Sequence, residues 1–115
     1  MITAVLSHHY LSAEDRKKAI ANSYKALKPG GVLVTCEHSA PRTERGLEIV
    51  LARWEKYQIA AGKTPEKAAD HIKRYNVEYF PISKCEQLCL LEEAGFSCAE
   101  VLWASYCDVV YYARK

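Results

Sequence analysis

No two glycines in this sequence flank a single residue, and apart from the Gly30-Gly31 pair the five present are scattered. A glycine-rich loop of the G-x-G kind, through which a backbone approaches a nucleotide closely, is therefore absent from these residues. No apolar run approaches the ~20 residues that a membrane helix needs. No basic start leads into an apolar signal core, so export and membrane insertion are not expected. There is no C-x-x-C: the five cysteines, Cys36, Cys85, Cys89, Cys98 and Cys107, are odd in number and irregularly spaced. Paired ligand spacing is missing, so a zinc site through Cys36, His38 and a distant thiol is not favoured and no metal is expected. The cysteines read as reduced thiols used as small apolar residues, and the expected compartment is cytoplasmic. The 16 basic and 14 acidic residues are interspersed and sum to +2. No basic stripe marks a direct nucleic-acid partner.

What remains is a chain half hydrophobic and a quarter charged, sized for a single domain over residues 1–115. Residues 2–6 (ITAVL) read as a short buried strand, followed by a polar loop, Ser7-His8-His9-Tyr10. Ser12 is a good N-cap, and Glu14 and Asp15 suit the positive end of the helix dipole. Ile20, Ser23, Tyr24 and Leu27 share one helical face. Pro29 stops that helix, and Gly30-Gly31 permit a sharp reversal. Residues 32–36 (VLVTC) form an apolar run without alternation, which predicts a strand covered on both faces in a parallel sheet. Strand, helix and strand make a β-α-β unit, expected to be right-handed.

A helical insert occupies about residues 43–80. Leu47, Val50, Leu51, Trp54 and Tyr57 share one face of a helix over 45–61. Thr64-Pro65 opens another helix, with Ala68, Ala69, Ile72 and Tyr75 on its apolar face. Ser83 and Glu86 predict a capping box, Leu88 and Leu91 lead that helix's buried face, and Gly95 ends it. Residues 99–105 and 108–113 predict an antiparallel hairpin. The fold class is α/β, with a four-stranded mixed sheet of two parallel strands and a C-terminal antiparallel hairpin, flanked by helices.

The order of "VLSHHYL", "YKALKPGGVLVTCEH", "LLEEAGF" and "EVLWASYCDVVYYARK" resembles the C-terminal half of class I S-adenosylmethionine-dependent methyltransferases. The resemblance covers essentially the whole chain. The insert and the "EVLW" ending are similar to the carboxy-S-adenosylmethionine synthase branch, whose members serve tRNA wobble-uridine modification and are dimeric. The resemblance implies a partial Rossmann-like fold with strand order first, second, fourth, third. It implies S-adenosylmethionine as cofactor, with Leu6, Ser7 and His8 packing against it. The family's glycine loop and ribose-binding acid lie on strands not found here. Binding by these residues alone is therefore doubtful, and the cofactor-gripping half is expected to be absent or supplied by another chain.

In an open α/β sheet, ligands sit beyond the carboxyl ends of the parallel strands. The ionisable residues there are His8, His9, Glu37 and His38. His8 or His38 is the candidate catalytic base for a protonated acceptor. His9 and Glu37 are candidate substrate contacts, against a solvated loop histidine for His9 and a cap or surface salt bridge for Glu37 as alternatives. Arg42 and Arg45 offer forks for a carboxylate, or are solvated loop arginines. Tyr79 and Phe80 are candidate walls of a substrate pocket, whereas Trp54 and Tyr57 favour core packing. Residues 2–6 would lie at a sheet edge with no charge or proline to blunt it, so a homodimer or a complementing N-terminal half is expected to cover it. Three functions follow: a transferase, or half of one, acting on a small molecule; a non-catalytic half-domain serving as an interaction module; or a thiol- or metal-binding protein, which would carry stoichiometric zinc.

Overall fold

The computed structural model describes all residues, 1–115. The elements run β1 (Ile2–Val5), a 3-10 turn (His8–Tyr10), α1 (Ala13–Ala26), β2 (Val32–His38), α2 (Glu44–Ala60), α3 (Pro65–Ile72), α4 (Lys84–Glu93), β3 (Cys98–Ser105) and β4 (Asp108–Arg114). The four strands lie in the order β1-β2-β4-β3. β1 pairs parallel with β2, and β4 runs antiparallel to both β2 and β3. The fold class and strand order are those expected from the sequence. No helix is long and apolar enough to cross a membrane.

Local chemistry explains most boundaries. Ser12 Oγ accepts from the Asp15 amide at the start of α1, and Thr64 Oγ1 from the Lys67 amide at the start of α3. Ser83 and Glu86 form the full capping box of α4. At the other end of α1, Lys115 Nζ donates to the Tyr24 and Leu27 carbonyls, two of the orphan acceptors a helix end leaves. Gly30 sits at φ +75, a left-handed conformation that only glycine adopts without strain, and its amide donates to Lys115 O. The turn thereby ties the end of the chain to the start of β2.

α1 and α4 pack on one face of the sheet. Ile20, Leu27, Leu33, Leu91, Phe96, Val109, Tyr111 and Ala113 form that core. Along β2 and β4 fully buried and half-buried residues alternate, which corrects the expectation of a strand sealed on both faces. β2 also extends two residues beyond the expected 32–36, because β4 pairs Glu37 with Val109 and His38 with Asp108. Successive strand residues face opposite ways. Glu37 therefore joins Leu33 and Thr35 on the core face, and His38 lies on the other.

The α2 face was misread. Tyr57 is 71% exposed, and the only fully buried residue of α2 is Gln58. α2 packs chiefly on α3, so its apolar stripe covers little core and Tyr57 falls outside the packed surface.

Candidate functional site

The carboxyl ends of β1 and β2 place three histidines and a carboxylate together. β1 ends at Val5, one residue short of the expected strand, and Leu6 turns away at φ 48. The chain then enters the 3-10 turn, which buries His8 and His9 and leaves Leu6 and Ser7 exposed. Arg16 of α1 fixes this turn although it is only 3% exposed. Its Nε donates to His8 O (3.1 Å) and its Nη2 to Phe80 O (2.5 Å). Phe80 N in turn donates to His9 O (2.5 Å). One guanidinium thus joins α1, the histidine turn and the end of the insert.

Glu37, 4% exposed, is the centre of the site. Its Oε2 accepts from the His9 backbone amide (3.1 Å) and lies 2.9 Å from His9 Nδ1. Its Oε1 accepts from the Thr35 hydroxyl and lies 3.7 Å from His8 Nδ1. Burial alone would raise the Glu37 pKa. The hydrogen bonds from His9 and Thr35, with the histidine charges, override that and hold it below the usual carboxylate value. Burial holds His8 below the ordinary imidazole value, against the opposing pull of Glu37. At neutral pH His8 is therefore a neutral imidazole whose Nδ1 lies 3.7 Å from the Glu37 carboxylate without a hydrogen bond to it.

On the other face, His38 Nδ1 lies 2.5 Å from Asp108 Oδ1 as an ion-pair contact. Burial, together with the neighbouring His9, holds His38 below the ordinary imidazole value against the opposing pull of Asp108 and Glu37. The rings of His9, His38, Trp54, His71 and Tyr79 connect in a chain of contacts with centroids 4.8 to 5.8 Å apart for successive His9–His38, His38–Trp54, Trp54–His71 and Trp54–Tyr79 pairs. This aromatic stack anchors the α2–α3 insert to the carboxyl edge.

The structure brings His8, His9 and Glu37 into one cluster and sets His38 beside it through the His9 ring. A solvated His9 and a surface salt bridge at Glu37 do not describe these buried groups, whereas Glu37 does accept the His9 amide of the 3-10 turn, as a cap would. Tyr79 is 2% exposed with its hydroxyl donated to His71 O (3.1 Å), and burial pushes its pKa up to about 12. It stands inside the aromatic stack, whereas Phe80 is partly exposed. Arg42 is away from the cluster, on the rim of a cavity of about 520 Å³ that Ser39, Val50, Lys84, Tyr106 and Cys107 also line. Arg45 is exposed and paired with Glu48. Sequence reasoning missed Arg16, Thr35 and Asp108. Arg16 had a signal: it lies one turn before Ile20 on the apolar face of α1. Asp108 had none, because only the cross-strand register opposes it to His38.

No family model matches the chain. It is similar to the carboxy-S-adenosyl-L-methionine synthases of Staphylococcus epidermidis, 26% identical over 95 residues, and Trichodesmium erythraeum, 27% over 106. The alignments cover 83% and 92% of this chain but 42% of each relative, so the chain spans about two fifths of the length of the curated relatives it matches. Among solved structures it is similar to PigF with SAH (TM-score 0.68, 18% identity, 99% of this chain and 30% of that one). It is also similar to human N-acetylserotonin methyltransferase in complex with SAM (TM-score 0.65, 16% identity, 98% and 28%). The fold is that of the Rossmann-like S-adenosylmethionine-dependent methyltransferases.

Proposed function

We propose that this chain, having the methyltransferase fold, forms the acceptor-side portion of an S-adenosylmethionine-using transferase that acts on a small molecule. One observation carries the reading: His8 lies with its Nδ1 facing the buried carboxylate of Glu37, where β1 ends and ligands of open α/β sheets bind. S-adenosylmethionine, where bound, supplies a one-carbon group made electrophilic by its positively charged sulfur. Everything else on this side falls to the chain. Leu6, 44% exposed, and Ser7 offer the cofactor an apolar and a polar contact beside His8. His8 accepts the proton of the acceptor group, and Glu37 stabilises the imidazolium that results. His9, bonded to Glu37 through both its amide and its ring, keeps the carboxylate aimed. Arg16 holds the turn that carries both histidines. These residues form one wall of a cofactor site and contain no glycine cradle, so the fit is to the sulfonium and acceptor side, not to the adenosine.

A second reading, a non-catalytic module with this fold, is favoured by that same lack of a cradle. Calorimetric titration with S-adenosylhomocysteine separates the two. It is applied to this chain and to the chain fused behind the N-terminal portion of the Staphylococcus epidermidis relative. The transferase reading expects one-site binding by the fusion, weakened about tenfold by Leu6→Asp, an exposed position that tolerates the charge. Binding heat unchanged by Leu6→Asp, or none from a folded fusion, favours the non-catalytic module.

A further inference from the structure

At the carboxyl end of β2, on the face away from Glu37, three side chains converge that the transferase reading does not need. His38, Cys107 and Asp108 each present a donor atom, and the three donors lie within 4.8 Å of one another. The types are an imidazole nitrogen, a thiol sulfur and a carboxylate oxygen, a borderline set that suits zinc and its neighbours in the first transition row. Two of the donors, His38 Nδ1 and Asp108 Oδ1, are shielded from solvent and already face each other 2.5 Å apart.

The frame around the donors is rigid. His38 and Asp108 are register partners across the β2–β4 ladder. Cys107 precedes Asp108 at the tip of the β3–β4 hairpin, and its carbonyl accepts from the Ser39 amide (2.7 Å). The tip residue Tyr106 sits at φ 62, a left-handed conformation unfavourable for a bulky side chain. Its hydroxyl donates to the Ile49 and Val50 carbonyls (3.3 Å each), and the Arg53 guanidinium lies 4.5 Å over its ring. The hairpin tip is thereby pinned to α2. A cavity of about 390 Å³ opens on the same three residues. Three protein ligands with a fourth position open to a cavity is the arrangement of a reactive metal site, not of a closed structural one.

We propose that His38, Cys107 and Asp108 form a binding site for a divalent transition-metal ion of the zinc type. The metal displaces the Cys107 proton to solvent and is held as thiolate, imidazole and carboxylate complex. Seating the ion requires His38 Nδ1 and Asp108 Oδ1, now 2.5 Å apart, to part to the ~3.3 Å that separates two ligands of a tetrahedral ion. The open position faces the cavity and takes water, or the thiol or hydroxyl of a small molecule. The site uses neither Glu37 nor His8, so it stands or falls independently of the transferase reading.

Cobalt(II) is the probe, because a thiolate ligand gives it a charge-transfer absorption in the near ultraviolet. The reduced, metal-free chain is titrated with Co²⁺ and no sulfonium compound is present. One equivalent is expected to produce the band and to be displaced by Zn²⁺. Cys107→Ser abolishes the band, and Asp108→Asn, isosteric and able to fold, weakens affinity at least tenfold. The Cys85→Ser/Cys89→Ser pair and Cys36→Ser leave it intact. No band at one equivalent, a band that survives Cys107→Ser, or one lost with Cys36, Cys85 or Cys89 would overturn the site.

Discussion

Arg16 shows how one side chain sets the site. It is the buried cation of α1, and its two donors satisfy carbonyls from the histidine turn and from Phe80. Arg16→Ala leaves the Phe80 carbonyl without this donor and the His8 carbonyl with only the Leu11 amide, and we expect it to cost about 1–3 kcal/mol of stability. A chemical denaturation curve checks this, and a loss under ~0.5 kcal/mol contradicts the role. His8 gives a second prediction. It is packed against Glu37 from β2, Arg16 from α1 and His9 beside it, and burial holds it below the ordinary imidazole value. The unfolded chain therefore takes up the proton first. Stability attributable to His8 is complete above about pH 6.5 and falls as pH drops toward the folded value. His38 and His71 are shifted the same way and add to the slope. The denaturation midpoint should decline between about pH 7 and 5.5, less steeply in His8→Gln than in wild type. Equal slopes would contradict the assignment. Of these residues, His8, His9 and Glu37 were legible because the sheet rule puts chemistry at strand ends. Their burial was not, since it depends on Arg16 drawing the turn inward.

At the scale of elements, caps and turns were the most legible features, because their chemistry lies within four residues. Ser12, Thr64, the Ser83–Glu86 box and the Gly30-Gly31 reversal all act as the sequence indicates. What failed depended on distant partners: the extra length of β2 is set by β4, and the exposure of Tyr57 by how little α2 packs on the sheet. Gly95 tests the local logic against a tertiary contact. It ends α4 at φ +102, and a Cβ there would sit 3.0 Å from the Tyr24 ring. Tyr24 itself packs edge-on against Phe96 of the core. Gly95→Ala is expected to destabilise the protein by about 1–3 kcal/mol through backbone strain and that contact. An unchanged denaturation midpoint would show that the turn relaxes without cost.

For the molecule as a whole, the sheet order was legible from the run of elements, while the pairing of Asp108 with His38 was not, because register is a property of the assembled sheet. β1 lies at an open edge, with Met1, Val5 and Leu6 exposed. We propose that a second copy or a complementing N-terminal half covers it. The chain alone should then have a dimer mass at micromolar concentration that Val5→Lys reduces to that of a monomer. A wild-type monomer with β1 amides protected from exchange would reject this. The central claim concerns where the one-carbon donor meets this fold. The most direct measurement is a crystal structure of the fused chain with S-adenosylhomocysteine. The sulfur is expected beyond the end of β1, facing His8 with Leu6 against the ligand. A sulfur seated elsewhere, such as the cavity beside Arg42 and Lys84, would contradict it.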